Sequence, residues 1–243
     1  MVRLDLEEIA AVLEGLEETI IYKLIDRIQF KRNEAVYTPG KSGFPGETKS
    51  LFELRLQYQE EMDSLFGRFT VPEERPFTSP LPPAKRKRLD PNCPFPLQDF
   101  NVVNLTAQIL ADYLALLPRI CPPGDDGHYG SSCEHDVYAL QAISRRIHYG
   151  AFYVGEVKFQ SNPTLFTTLL KQGDREALLK ALTRKEVEQK ILERVREKAV
   201  TIQATIRTPV RTQLKAEVVS AFYRDTIIPL TKEGELRYLQ QRV

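Results

Sequence analysis

The sequence predicts an all-α fold, a single-domain helical bundle spanning residues 1–243, and three observations carry that expectation. Apolar residues recur at spacings of three and four through most of the chain. Helix-start signals stand where these stripes begin. No stretch alternates apolar and polar residues as a half-buried strand does, and there is no internal repeat.

The first helix is expected over residues 5–28. Leu6, Ile9, Leu13, Leu16, Ile20 and Leu24 form its apolar stripe, with Glu7, Glu14, Glu17 and Glu18 on the polar side. Asp5 and Glu8 have capping-box spacing. A second helix, over residues 48–66, is expected to bury Leu51, Leu54, Tyr58, Met62 and Leu65. Residues 71–97 form a long Pro-rich loop, because its eight prolines exclude a continuous helix or central strand. A third helix covers residues 104–117 and is stopped by Pro118. The loop CPPGDDGHYGSS (residues 121–132) leads to Ser131 and Glu134, whose spacing reads as a capping box opening a long helix that carries RRIHYG (residues 145–150). Later helices start near Asn162, Asp174, Thr183 and Thr208. Thr183 with Glu186 is another capping box, and Thr208 before Pro209 is an N-cap with proline at the first helical position. Pro229 is expected to kink or end the last long helix, with a short helix following from Thr231.

Composition excludes several classes. A net charge of +1 supplies no global basic field for nucleic acid. No apolar run approaches the roughly 20 residues of a membrane span. The N-terminal segment is acidic and amphipathic, without the apolar core of a secretory signal. Cys93, Cys121 and Cys133 are scattered and odd in number, which fits a reducing compartment. A cytoplasmic protein is therefore expected. There is no GxGxxG, P-loop or GxSxG pattern, and His128, His135 and His148 lack metal-ligand spacing, so neither a cofactor nor a metal is expected.

What remains is a set of charges on apolar faces. Leu140, Ile143, Ile147 and Phe152 place the RRIHYG helix against a core, so one of Arg145 and Arg146 lies close to the buried side. Lys158 follows on the same helix. Glu188 borders the stripe of Val187, Ile191 and Val195, where a carboxylate needs a partner or a ligand. The plainer alternative is an ion pair with Arg184 one turn earlier. Thr231 and Glu235 lie one turn apart, which by local sequence alone reads as a helix start. Buried charges without an activated nucleophile suit a small anionic molecule held in a helical core.

Five segments extend this reading: EETIIYKLIDR (17–27), ALQAISRRIHYG (139–150), EVKFQSNP (156–163), VEQKILERVREKA (187–199) and IIPLTKE (227–233). In this order they resemble the all-helical AroQ-type chorismate mutases, in their allosteric fungal and plant branch. The resemblance implies the eukaryotic chorismate mutase fold and a cofactor-free Claisen rearrangement of chorismate to prephenate. It implies that Arg146 binds a substrate carboxylate, Lys158 donates to the ether oxygen and Glu188 fixes the ring hydroxyl. Glu235 would contact the ether oxygen in its protonated form, supported by Thr231. It further implies a homodimer through the second helix and an aromatic amino-acid effector, with Arg68, Gly130 and Ser131 matching the effector positions.

The chain departs from that pattern in several places. Ala10 stands where the family has an active-site Arg on the first helix, and Arg184 where it has an Asn. Either Arg184 replaces the missing charge from another wall, or the substrate is a different carboxylated molecule, as in secondary metabolism. Gly67 replaces an effector-site Arg, and Glu134 a Thr. Arg146 and Lys158 are twelve residues apart where the family has eleven, which on a regular helix turns Lys158 away by about 100°. A π-bulge near Gly150 or Gly155 would absorb the extra residue. A rival reading takes the basic cluster PPAKRKRLD (82–90) as a nuclear localisation signal on a catalytically inactive, protein-binding mutase fold.

Overall fold

A computed structural model describes residues 4–86, 93–97, 99–205 and 210–242. Among them the regular structure is entirely helical. Helix α1 (Leu6–Arg27) starts on Asp5, whose carboxylate accepts the Glu7 amide at 2.8 Å. It lies along α4 (Tyr129–Tyr149), and Ile20, Ile21, Leu24 and Ile28 meet Leu140, Ile143 and Ile147 in the main core. The polar side expected of α1 holds with one correction. Glu17 is fully buried, because Arg194 and Lys198 reach it from a distant helix.

Helix α2 (Leu51–Leu65) opens with a reciprocal capping box between Ser50 and Glu53. Its inward face is Phe52, Leu54 and Leu56, not the full stripe expected. Tyr58 and Met62 are half exposed and Phe66 is 70% exposed, so this face is apolar yet uncovered on the single chain. The described part of the Pro-rich segment is irregular but anchored. The buried Glu60 carboxylate accepts the amides of Phe77 and Thr78 and the Thr78 hydroxyl, and Phe95 enters a second core. Lys87 to Asp90 of the basic cluster fall outside the described residues.

Helix α3 (Thr106–Ile120) contains Pro118 instead of stopping before it. In the last turn proline forfeits only its own amide bond, and the buried Leu116 and Leu117 hold the helix on course. The stretch Phe100–Ile120 is apolar enough to pass for a membrane span by composition, contrary to expectation. Its α-helical part is only the 15 residues of α3, and Ile109, Tyr113, Leu116 and Leu117 face the protein core.

Helix α4 begins two residues before Ser131, with His128 at its N-cap and no side-chain cap. Asp126 accepts the Lys31 and His128 amides, which pins the loop and turns the chain into the helix early. His148 of the RRIHYG motif is structural. Its Nδ1 donates to Ser144 O, and its Nε2 accepts the Leu105 amide at 3.1 Å ahead of α3. Complete burial pulls its pKa down to about 3.

After Tyr149 the helix widens into a π turn at Gly150–Val154 before continuing as α5 (Gly155–Ser161). The extra residue is thus absorbed where the sequence placed it. The glycine at 150 is required by close packing, since a Cβ there would sit 2.6 Å from Thr231 Cγ2. Asn162 and Asp174 cap α6 (Pro163–Gln172) and α7 (Arg175–Leu182) as expected. Thr183 does not cap α8 (Lys185–Gln203). Its hydroxyl donates back to Leu179 O and closes α7 instead. Thr208 and Pro209 lie outside the described residues, and the next helix, α9, is Ala216–Phe222.

Pro229 neither ends nor visibly breaks the last helix. A second π turn, Tyr223–Ile227, joins α9 to α10 (Ile228–Gln240), and Pro229 sits in the first turn of α10. Thr231 is therefore inside a continuous helix, with its hydroxyl on Ile227 O at 2.7 Å. The first π turn packs on α10: Gly234 lies so close to Ala151 that a Cβ would meet it at 2.5 Å.

Candidate active site

The π turn after α4 and the loop before α8 bring α1, α4, α5, α8 and α10 around a cavity of about 390 Å³. That size suits one small molecule. Arg146, Lys158, Arg184, Glu188, Thr231 and Glu235 all line it, as does Ala10. The π turn is what allows this. Lys158 reaches into the cavity because five residues are wound at the wider pitch before it.

Arg146 is the buried member of its pair, 3% exposed, while Arg145 faces solvent. Its Nε and Nη1 atoms have no hydrogen-bond partner among the described residues. Burial lowers its pKa, opposed by the nearby Tyr223 and Glu17. A guanidinium taken out of water without a partner is costly, and an anion in the cavity would complete it.

Lys158 donates to Leu182 O and to Glu235 Oε2, both at 2.7 Å. Glu235 is 3% exposed, and burial raises its pKa against the opposing pull of Lys158. Its carboxyl is held above the usual carboxylate range, because desolvation is the larger effect and only one cation bonds it directly.

Glu188 does not pair with Arg184, the plain alternative in the sequence. Its partner is Lys232 of α10, with Nζ 3.1 Å from Oε1. Arg184, in extended conformation just before α8, makes no side-chain ion pair among the described residues.

Several lining residues were not singled out from the sequence. Arg194 borders the cavity and clasps the buried Glu17 through Nε (2.8 Å) and Nη2 (2.6 Å), with Nη1 on Glu14 at 3.1 Å. Its place three residues beyond Ile191 on the α8 stripe was the available signal. Lys232, next to Thr231 and three residues before Glu235, carried the same kind of signal. Lys190 and Glu14 complete the charged lining. The cavity thus holds six cations (Arg146, Lys158, Arg184, Lys190, Arg194, Lys232) against three carboxylates (Glu14, Glu188, Glu235). With Leu6, Ile9, Ala10 and Leu13, α1 contributes an apolar wall and one acid, but no cation. Such a pocket favours a compact, multiply charged anion and supplies hydrogen-bond donors at two levels, Arg146 and Lys158.

The matched effector residues lie elsewhere. Arg68 is engaged by Asp63 and Glu74, each at 3.0 Å, and by Gln141 at 2.7 Å. Gly67 adopts φ +85°, a conformation in which the Arg expected there would be strained. Gly130 and Ser131 sit in the first turn of α4, and Glu134 is 3.6 Å from Arg55. No group of His, Cys, Asp or Glu among the described residues is arranged to hold a metal ion.

Comparison with known proteins agrees with this geometry. A family profile described as chorismate mutase type II matches residues 129–236. The chorismate mutase of Emericella nidulans is 40% identical over 99% of this chain and 93% of its own length. That of Trichoderma parareesei is 37% identical over 99% and 94%. Among solved structures, the Candida albicans Aro7p chorismate mutase in complex with L-Trp superposes with a TM-score of 0.89 at 34% identity, covering 98% of this chain and 91% of that one. The chloroplast chorismate mutase of Zea mays gives 0.87 at 33% identity, covering 99% and 98%. AtCM1, solved with phenylalanine or with tyrosine in its allosteric site, gives the same TM-score. Identity at this level along nearly the whole chain, on the same helical frame, makes this protein a member of the chorismate mutase family.

Proposed function

We propose that this chain is an isomerase that converts chorismate to prephenate in aromatic amino-acid biosynthesis. The observation that carries the reading is Arg146: a buried guanidinium with two donors unpartnered among the described residues, opening on a cation-rich cavity. The reaction is intramolecular. The ether C–O bond breaks, a C–C bond forms, and no proton, electron or cofactor is exchanged with the protein.

Catalysis therefore reduces to holding the dianion in its compact diaxial conformer and stabilising charge that develops on the ether oxygen. Arg146 binds one carboxylate. Arg184, which makes no side-chain ion pair among the described residues, binds the other and replaces the cation absent at Ala10. Lys158 and Glu235 meet at the ether oxygen. In the free pocket they bond each other; when Lys158 turns to the substrate, buried Glu235 loses its cation, takes up a proton from solvent and, keeping it, donates a hydrogen bond to the ether oxygen. Glu188 accepts the ring hydroxyl, and Thr231 supports the floor of the site against Gly150. Full-length identity to fungal and plant chorismate mutases favours chorismate over another carboxylated substrate and over an inactive interaction protein.

The chain works as one domain in the cytoplasm and forms a homodimer. The exposed α2 stripe of Tyr58, Met62 and Phe66 supports that assembly. An aromatic amino acid regulates it, a reading supported by effector complexes of its structural neighbours. Incubating the purified protein with chorismate, against an enzyme-free control, tests the reading. Prephenate formation is expected, and its absence from folded protein would refute it.

A further inference from the structure

We propose that Lys232 is a positioning residue: it holds Glu188 by one carboxylate oxygen so that the other is presented to the ring hydroxyl of the substrate. This rests on the reading of the cavity as a chorismate site. Lys232 projects from α10 between Thr231 and Glu235, and its Nζ lies 3.1 Å from Glu188 Oε1. Glu188 Oε2 has no hydrogen bond among the described residues, so it is the oxygen left for a ligand. The pair is about a quarter exposed on each side, at 24% and 27%, at the wall of the cavity.

Two consequences follow from the charges around it. Glu188 faces Lys232 and Glu235 from α10, Arg184 from the start of its own helix, and Lys158 and Arg146 from across the cavity. A dianion entering this space meets Glu188 as a like charge unless a cation stays on it, and Lys232 is the cation that does so. Arg184 is one turn before Glu188, at the spacing of a helical ion pair, yet it makes no ion pair among the described residues. By occupying Glu188, Lys232 keeps Arg184 available for the substrate. Removing Lys232 frees Glu188 to rotate and to capture Arg184, which weakens ground state and transition state alike. Such a loss appears in KM more than in kcat.

The test compares Lys232→Met, Lys232→Arg and Glu188→Gln, with the wild-type enzyme turning over chorismate as the control. Lys232→Met is expected to raise KM about fivefold with kcat changed less than about twofold, and Lys232→Arg to restore KM to within about twofold. In a Glu188→Gln background, Lys232→Met is expected to cost nothing more in kcat/KM, because the residue acts through Glu188. A Lys232→Met enzyme indistinguishable from wild type would overturn the proposal. So would a loss that persists in full in the Glu188→Gln background, which would mean that Lys232 touches substrate itself. A wild-type protein without turnover would instead remove the reading of the site, and this inference with it.

Discussion

Arg184→Asn is the substitution that most directly tests how this pocket manages without a cation on α1. Arg184 has no ion-pair partner among the described residues and is exposed at the cavity mouth. Its removal therefore strands no buried carboxylate, and the effect on stability should stay within about 0.5 kcal/mol. The cost falls on the substrate. A hydrogen bond between a guanidinium and a carboxylate contributes about 1.5–3 kcal/mol. At about 1.4 kcal/mol per tenfold, that corresponds to a loss of about 10- to 150-fold in kcat/KM. Chorismate consumption followed continuously across a substrate range measures it, alongside a thermal melt to confirm the fold. Ala10→Arg in the same protein should recover much of the loss, by returning a cation to the α1 wall between Ile9 and Leu13. An Arg184→Asn enzyme as fast as wild type, or faster, would refute the compensation outright.

Glu235 supplies a pH prediction. Its pKa is raised by burial, and its role requires the protonated form, so the wild-type rate falls as pH rises through that pKa. Glu235→Gln keeps a donor that does not titrate, and its pH–rate profile should flatten on the alkaline side; an unchanged alkaline limb would exclude the role. At Gly150, alanine would put a Cβ 2.6 Å from Thr231 Cγ2 and 3.3 Å from Arg146 Nη1. Thermal denaturation of Gly150→Ala should show a destabilisation of about 1–3 kcal/mol, together with reduced kcat/KM, whereas a neutral effect would mean that the two helices separate without resistance. His148 predicts acid sensitivity. Its folded pKa of about 3 lies below the unfolded value of 6.5, so the unfolded chain binds the extra proton and stability is lost as pH falls from 6.5 toward 3. At pH 4.5 that loss is about 3 kcal/mol. Denaturant titrations of wild type and His148→Gln at pH 7 and pH 4.5 should show the gap between them narrowing by that order, and parallel pH dependences would rule it out.

Much of this protein was legible before any coordinates, and the parts that were not share a physical cause. Helical periodicity is a local property, so Ile20, Leu24, Leu140, Ile143 and Ile147 could be assigned to the core from spacing alone, and all are buried. Asn162 and Asp174 announced their helices because capping involves only the next few residues. Thr183 and Ser131 carried the same local signals and did not cap, because the preceding chain already satisfied them or turned into a helix early. Pro118 and Pro229 mark the limit of a local rule. Packing carries α3 through the first, and a π turn accommodates the second.

Within the site, sequence alone determined which residue types are present: Arg146, Lys158, Glu188, Thr231 and Glu235 in family order, with Ala10 and Arg184 as the changes. The one-residue insertion could also be read there, together with the glycine able to absorb it. Only the tertiary structure decided who faces whom. Glu188 turns to Lys232, 44 residues away in the chain, and not to the neighbouring Arg184. Glu17 is buried and not on the polar side, because Arg194 closes on it from α8. Charge pairing depends on distance in space and on exclusion of water, and neither is recorded in a helix's own period.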